Sequence, residues 1–123
     1  MKQIEQSEFI SQAMLFRWAR LLKTRYRELE LMFAIHNGLK LNPIQANKAI
    51  ASGTNKGIPD LMLPIARNGK YGLFIEMKKS TGVVSFEQKE KLFRLQEEGY
   101  KTIVCRSYDE AKNAICEYLG IKE

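Results

Sequence analysis

Residues 57–79 read GIPDLMLPIARNGKYGLFIEMKK, and this stretch decides the fold. It holds two apolar runs, 60–65 and 71–78, on either side of the dipeptide Asn68-Gly69. Asn-Gly between two short apolar runs is the strongest short-range signal for a β-hairpin. The pattern therefore predicts two neighbouring antiparallel strands at the centre of the chain.

The second predicted strand has one apolar face and one charged face. Successive side chains of a strand point to opposite faces of the sheet, so Glu76 and Lys78 share one face. Leu73, Ile75 and Met77 share the other, which we expect to lie against a core. An acid within an otherwise apolar strand is costly to bury unless it is paired or bound to a metal.

Asp60 begins the first predicted strand, so the hairpin places it at the same edge as Glu76 and Lys78. The two carboxylates, with the backbone carbonyl of Met77, offer hard oxygen ligands that suit Mg²⁺ or Mn²⁺ better than zinc. A cation held there can lower the pKa of a bound water and stabilise a phosphoryl transition state. These residues therefore indicate a metal-dependent phosphodiesterase.

Each of these residues also has a plainer interpretation. Asp60 is an ordinary strand-end aspartate in that alternative, and Glu76 and Lys78 face solvent on an edge strand. Phe74 lies on the same face as Glu76 and Lys78, which argues that part of this face is covered.

The flanking sequence predicts helices around these strands. The predicted elements are a helix over 8–26, a strand over 31–35, a helix over 42–52, a loop over 53–59, the two hairpin strands, a helix over 85–99, a strand over 100–106 and a helix over 107–120. Ser85 and Ser107 each begin a capping-box sequence. The fold class predicted is α/β, a single domain over 1–123 with a mixed central sheet of about four strands flanked by helices.

The first predicted helix has a broad apolar face. Its members are Phe9, Ile10, Ala13, Met14, Phe16, Leu21 and Leu22. Trp18 lies off this face, and two places are open to it: the core of the domain or an interface with another molecule.

Composition fits one ordinary globular domain. The chain has 123 residues, of which 45% are hydrophobic and 28% charged. It has no apolar run long enough to span a membrane and no signal-peptide pattern at its start, so we expect an intracellular protein. Cys105 and Cys116 lack metal-binding spacing and lie in apolar patterns, which predicts buried core thiols.

The basic charge is concentrated around the two acids. The formal net charge is +6, and residues 31–82 hold seven bases but only two acids, Asp60 and Glu76. A positive field around a small acidic centre suits a polyanionic substrate with a bound metal. The alternative is a solvated basic surface without function.

Several motifs together resemble the VRR-NUC domain, a branch of the PD-(D/E)XK nuclease superfamily with a restriction-endonuclease-like fold. The resemblance extends from about residue 7 to residue 119. It is carried by Glu8, Asn37-Gly38, Gly57-Ile58-Pro59-Asp60-Leu61, Gly72-Leu73-Phe74-Ile75-Glu76-Met77-Lys78, Ser85-Phe86-Glu87-Gln88 and Gly99-Tyr100. One departure is Phe33-Ala34-Ile35-His36, where many relatives have a histidine and a proline.

The resemblance implies roles for individual residues. Asp60 and Glu76 match the metal-binding acids and Lys78 the catalytic lysine. Glu8 matches a first-helix acid that approaches the metal, although an acid is also favourable in any first helical turn. Gln88 matches an active-site glutamine, although it also completes a capping box with Ser85.

The resemblance further implies a Mg²⁺- or Mn²⁺-dependent DNA endonuclease. Stand-alone relatives suggest a homodimer that acts on branched DNA such as a four-way Holliday junction, often encoded by phages and then active in the host cytoplasm. Candidate DNA contacts are Asn37, Lys40, Lys48, Lys56 and Lys79. The alternatives are a flap or restriction-like nuclease, a catalytically silent nucleic-acid-binding module and a purely structural α/β domain.

Overall fold

The computed structural model describes residues 7–36 and 42–122. Its elements in chain order are α1 (Glu8–Leu22), a 3₁₀ turn (Arg27–Leu31), β1 (Phe33–Ala34), α2 (Pro43–Ala51), β2 (Leu61–Leu63), β3 (Leu73–Met77), α3 (Phe86–Glu97), β4 (Lys101–Cys105) and α4 (Tyr108–Leu119).

The strands form one four-stranded mixed sheet in the order β1-β2-β3-β4. β1 and β2 are antiparallel, β2 and β3 are antiparallel, and β3 and β4 are parallel. The predicted hairpin is confirmed at its turn, where Asn68 and Gly69 both have positive φ angles, 51° and 76°. Two positive φ values are what a type I′ hairpin turn requires. The α/β class with a mixed sheet is therefore confirmed.

The segment before residue 36 differs from the prediction. The predicted strand over 31–35 is shortened to Phe33–Ala34, because the chain first forms the 3₁₀ turn Arg27–Leu31. The first helix ends at Leu22, where the amide of Tyr26 donates to the Leu22 carbonyl at 2.8 Å and turns the chain. Ile35 still continues the sheet, since its amide donates to the Asp60 carbonyl at 2.7 Å.

The core lies on the face of β3 that was predicted to be apolar. Leu73, Ile75 and Met77 are all buried there beneath α1 and α4. On the other face, Phe74 is buried and its ring contacts Tyr100 edge to face, at 5.2 Å between ring centroids. Both faces of β3 are therefore covered, and the edge-strand alternative for Glu76 is wrong.

The predicted apolar face of α1 is wrong for five of its seven members, and the other two, Phe16 and Leu22, pack against the core. The buried side chains of α1 are Ser11, Leu15, Trp18 and Ala19. Most of the predicted face is exposed, including Phe9, Ile10, Met14 and Leu21. This helix has apolar residues on all of its sides, so periodicity alone could not select the side that faces the core. Trp18 lies in the core, the first of its two predicted places.

The predicted helix starts and the predicted burial of Cys105 are confirmed, whereas Cys116 is only partly buried against the core. Ser85 and Gln88 form the predicted capping box. At α4 the predicted bond from the Ser107 amide back to the Glu110 side chain is replaced, because the Glu110 carboxylate accepts from the Arg106 amide at 2.9 Å. Cys105 is fully buried, and burial raises the pKa of its thiol to about 12. In the described ranges, no helix is long and apolar enough to cross a membrane.

Candidate active site

The hairpin register brings Asp60 and Glu76 together. Leu61 pairs with Ile75, so the residues just beyond this pair, Asp60 and Glu76, lie at the same end of the two strands. Asp60 Oδ2 accepts a hydrogen bond of 2.7 Å from the backbone amide of Met77. This bond holds one carboxylate across the end of β3.

Glu76 is buried with one oxygen unpaired. Its residue exposure is 2%, and Oε1 accepts from Gln88 Nε2 at 3.1 Å. Oε2 is also buried and has no hydrogen-bond partner as an ionised carboxylate. Burial first, and the charge of Asp60 second, raise the pKa of Glu76 from its ordinary 4.5 to about 9. Without a metal the carboxyl therefore holds a proton at neutral pH, and this proton can be shared with Asp60.

This donor set fits a hard divalent cation. A buried, unpaired carboxylate oxygen beside a second carboxylate leaves negative charge uncompensated unless a proton or a cation lies between them. Within 7–36 and 42–122, no group of three or more His, Cys, Asp and Glu side chains could hold a metal. The ligands on offer are therefore the two carboxylates and backbone oxygen, a combination that Mg²⁺ accepts together with water and substrate phosphate.

Met77 contributes through its backbone. Its side chain is buried in the core with 1% exposure. Its amide points towards Asp60, as the hydrogen bond above requires. The amide and carbonyl of one strand residue point to the same side of the strand, so the Met77 carbonyl lies on the Asp60 side.

Lys78 directly follows β3, and its amide donates to the Cys105 carbonyl at 2.9 Å, which extends the pairing with β4. The side chain is partly buried, and its positive charge acts to lower the pKa of Glu76. The predicted lysine therefore lies within electrostatic reach of the acid pair.

Gln88 does two things at once. It completes the capping box of α3, since its side-chain oxygen accepts from the Ser85 amide at 2.9 Å. Its side-chain nitrogen donates to Glu76. The two interpretations of Gln88 are therefore compatible, because the amide offers an acceptor to one partner and a donor to the other.

Glu8 is less closely involved. It is the first residue of α1, and its side chain is exposed. Its negative charge contributes to the raised pKa of Glu76, as the smallest of the named causes. The start of α1 thus faces the same region as the acid pair.

The structure describes three of the five predicted DNA-contacting residues. Asn37 and Lys40 lie outside the described residues. Lys48 is exposed in the last turn of α2, and Lys79 is exposed just after β3. Lys56 pairs with Glu87 at 3.5 Å, and both side chains are largely exposed.

The loop before Asp60 is fixed by a close approach to α3. Gly57 has a φ angle of 87°, and a Cβ at this position would lie 2.8 Å from the Glu87 carbonyl oxygen. Only glycine meets both conditions without strain. Pro59 is buried beside it. Gly57 and Pro59 thus shape the loop that presents Asp60.

Arg106 was not singled out by the sequence. It follows β4, and its Nη1 donates to three backbone carbonyls of the turn after β3: Gly82 at 2.7 Å, Lys79 at 3.1 Å and Ser80 at 3.4 Å. This clamp fixes the turn that follows Lys78. A single arginine after a strand has no pattern that would reveal such a contact.

A cavity of about 590 Å³ lies between α1 and the edge strand β1. It is lined in part by Phe9, Arg20 and His36, and by none of Asp60, Glu76 and Lys78. This cavity is therefore separate from the candidate site, which its charge and hydrogen bonding identify.

The sequence model of the VRR-NUC domain family matches residues 18–109. The chain belongs to the VRR-NUC family. A solved structure described as a VRR_NUC domain protein is similar to it, with a TM-score of 0.79 and 26% sequence identity. The match covers 98% of this chain and 93% of that one. No curated protein matches the chain. The resemblance in the motifs is thus confirmed, and the chain is a nuclease-type domain, for which DNA is the implied ligand.

Proposed function

We propose that this VRR-NUC protein is a Mg²⁺- or Mn²⁺-dependent DNA endonuclease that hydrolyses phosphodiester bonds in branched DNA such as Holliday junctions. Residues 1–123 act as one nuclease domain. The observation that carries the proposal is the buried, unpaired Oε2 of Glu76 beside Asp60. Burial of two carboxylates without a cation destabilises the folded protein. A pair that holds a divalent cation can serve phosphodiester hydrolysis.

Asp60 and Glu76 would hold the cation, with the Met77 carbonyl as a third ligand. Glu8, at the start of α1, would approach directly or through water. When bound, the cation supplies a water of lowered pKa and positive charge against the phosphate. Asp60 is kept in orientation by the Met77 amide at 2.7 Å, and Glu76 by Gln88 at 3.1 Å.

Lys78 would act on the phosphate itself. Its side chain leaves the same strand face as Glu76, one pleat further on. An ammonium group there can orient the attacking water or stabilise negative charge that develops on the phosphate oxygens. The pairing of its backbone with Cys105 gives this side chain a fixed origin.

Contacts to the DNA backbone would come from the basic residues around the acids. Lys48 and Lys79 are exposed, and Lys56 can exchange Glu87 for a phosphate because their ion pair is exposed and weak. Asn37 and Lys40 are proposed for the same role from the sequence. Backbone contacts of this kind follow shape and charge, which suits a branched substrate.

Symmetric cutting of a junction needs two active centres, so we propose a homodimer. The exposed side of α1 offers a surface for it. Ile10, Met14 and Leu21 lie along this side at spacings of four and seven residues, with exposures of 51%, 38% and 70%. Exposed apolar side chains along one side of a helix, here with the exposed Arg17 between Met14 and Leu21, are typical of a surface that another molecule covers.

The test is cleavage of end-labelled four-way junction, flap, splayed-arm and linear duplex DNA in Mg²⁺ and in Mn²⁺. Asp60→Asn is the inactive variant. Asp109→Asn, an identical change at an exposed residue of α4, is the matched control. We expect paired incisions in the junction that are lost in EDTA and in Asp60→Asn and retained in Asp109→Asn.

Other outcomes favour the alternatives. Cutting at flaps or single strands alone would keep the site and refute the junction preference. Binding that persists in EDTA with no cutting would indicate a silent binding module. No binding and no cutting would indicate a structural domain.

A further inference from the structure

The turn between β3 and α3 carries two large apolar side chains that are almost fully exposed. Val83 is 81% exposed, the highest value for a large apolar side chain in the described ranges, and Phe86 is 78% exposed. They lie three residues apart, one on the turn and one at the first residue of α3. Single exposed apolar residues are common. Two that lie so close together expose a larger apolar area to water, which is unfavourable.

This turn is held in place on both sides. Arg106 binds the carbonyls at its start, with the shortest bond, 2.7 Å, to Gly82. At its end, Ser85 caps α3 and Gln88 connects the helix to Glu76. Val83 and Phe86 are therefore presented from a fixed backbone at a fixed place relative to the acid pair.

The surroundings of the two side chains are basic. Lys79 is exposed at the start of the turn, and Lys89 is exposed one helical turn after Phe86 on the same side of α3. Two exposed acids of α3 also lie here, Glu87, which pairs with Lys56, and Glu90, so three lysines stand against two acids. A polyanion is thus the occupant that the charges favour.

We infer that Val83 and Phe86 form an apolar wedge that stacks against unpaired bases at the branch point of the DNA substrate. The inference rests on the proposed nuclease function and on the position of Lys78, whose side chain runs along this turn: its Cδ lies 3.4 Å from where a Cβ on Gly82 would be. A phosphate held by Lys78 would therefore lie beside the turn. Apolar and aromatic side chains insert between base steps or stack on exposed bases. A continuous duplex hides its base faces and a branch point exposes them, so the wedge gives the site a preference for branched DNA.

The competing occupant of this face is a protein, including a second copy of the chain. Phe93 lies two helical turns after Phe86 on the same side of α3 and is 59% exposed. A protein that covered α3 would contact both phenylalanines, whereas a wedge beside the acids uses Phe86. Phe93 is therefore the matched control position.

The experiment compares wild type, Phe86→Ala, Phe86→Trp and Phe93→Ala. Cleavage of the four-way junction in Mg²⁺ gives kcat and KM. A junction with 2-aminopurine at the branch point, measured in EDTA, reports base stacking independently of cleavage. Thermal melting and sedimentation record folding and oligomeric state.

We expect Phe86→Ala to raise KM for the junction about tenfold and to lose the fluorescence change at the branch point. Phe86→Trp should retain both, and Phe93→Ala should behave as wild type. Unchanged cleavage and fluorescence in Phe86→Ala, in a protein whose wild type cuts junctions, would overturn the wedge alone. A shared change in sedimentation for Phe86→Ala and Phe93→Ala would overturn it in favour of a protein interface. A wild type that neither cuts nor binds junctions would overturn the proposed function and the wedge with it.

Discussion

Replacement of Glu76 by glutamine should stabilise the metal-free protein at alkaline pH. The folded pKa of Glu76, about 9, lies above its ordinary 4.5, so the folded chain retains a proton that the unfolded chain releases between these values. Stability should therefore fall as pH rises through this window. Glutamine carries no ionisable proton, can still accept from Gln88, and can donate to Asp60 in place of that proton.

The size of the effect follows from the shift. One pKa unit corresponds to about 1.4 kcal/mol, so half of the shift, taken to allow for relaxation and water, corresponds to about 3 kcal/mol. For a domain of this length that is a change in Tm on the order of 10 °C. Between pH 5 and pH 8.5, the Tm of the metal-free wild type should fall by this amount relative to the Tm of Glu76→Gln.

Thermal unfolding in EDTA at pH 5 and pH 8.5 measures this difference. Glu90→Gln removes the same charge from an exposed position on α3 and is the control. At pH 8.5, Mg²⁺ should raise the Tm of wild type and of Glu90→Gln but leave Glu76→Gln unchanged. Parallel pH dependence in wild type and Glu76→Gln would refute the assignment of Glu76 as a buried acid that needs a cation.

Three further changes test the parts around the acids. Gly57→Ala should destabilise the protein by about 2 kcal/mol or more, because a Cβ there meets both a positive φ angle and a close contact to Glu87. Gly53→Ala is the control, because Gly53 has a φ angle of 110° but no atom within 4 Å of the position that a Cβ would take. The difference between the urea midpoints of the two variants then measures the contribution of the contact. Arg106→Ala should lower kcat about tenfold, because a misplaced turn disturbs Lys78, and should also raise KM, because the same turn presents Val83 and Phe86 to the DNA. Arg106→Lys should restore part of both, and an unchanged kcat would show that the clamp does not position Lys78. Lys78→Met should lower kcat by about 10²-fold or more while metal binding persists, as measured by single-turnover cleavage and calorimetry; a normal rate would remove Lys78 from the chemistry.

Local patterns were sufficient to predict the strands that build the site. The Asn68-Gly69 turn fixes the hairpin register, and the register in turn places Asp60 beside Glu76. The alternation along β3 correctly assigned Leu73, Ile75 and Met77 to the core, because each pleat direction is set by the backbone alone.

The helices were predicted less well for a physical reason. Apolar residues surround α1, so the choice between the face with Leu15 and Trp18 and the face with Ile10 and Met14 depends on which side meets the sheet and α4. That information is tertiary. Contacts such as the clamp of Arg106 on Gly82 join residues 24 positions apart, and no local pattern encodes them.

The central claim is that Asp60 and Glu76 bind one divalent cation in place of a proton. Calorimetric titration of Mn²⁺ at pH 7.5, repeated in buffers of different ionisation enthalpy, measures affinity and proton release together. We expect wild type to bind Mn²⁺ and to release close to one proton, because the pKa of Glu76 lies above this pH. Binding should be lost in Asp60→Asn and in Glu76→Gln. Mn²⁺ binding of unchanged affinity in Glu76→Gln, with the same proton count as wild type, would contradict the assignment of this pair as the metal centre.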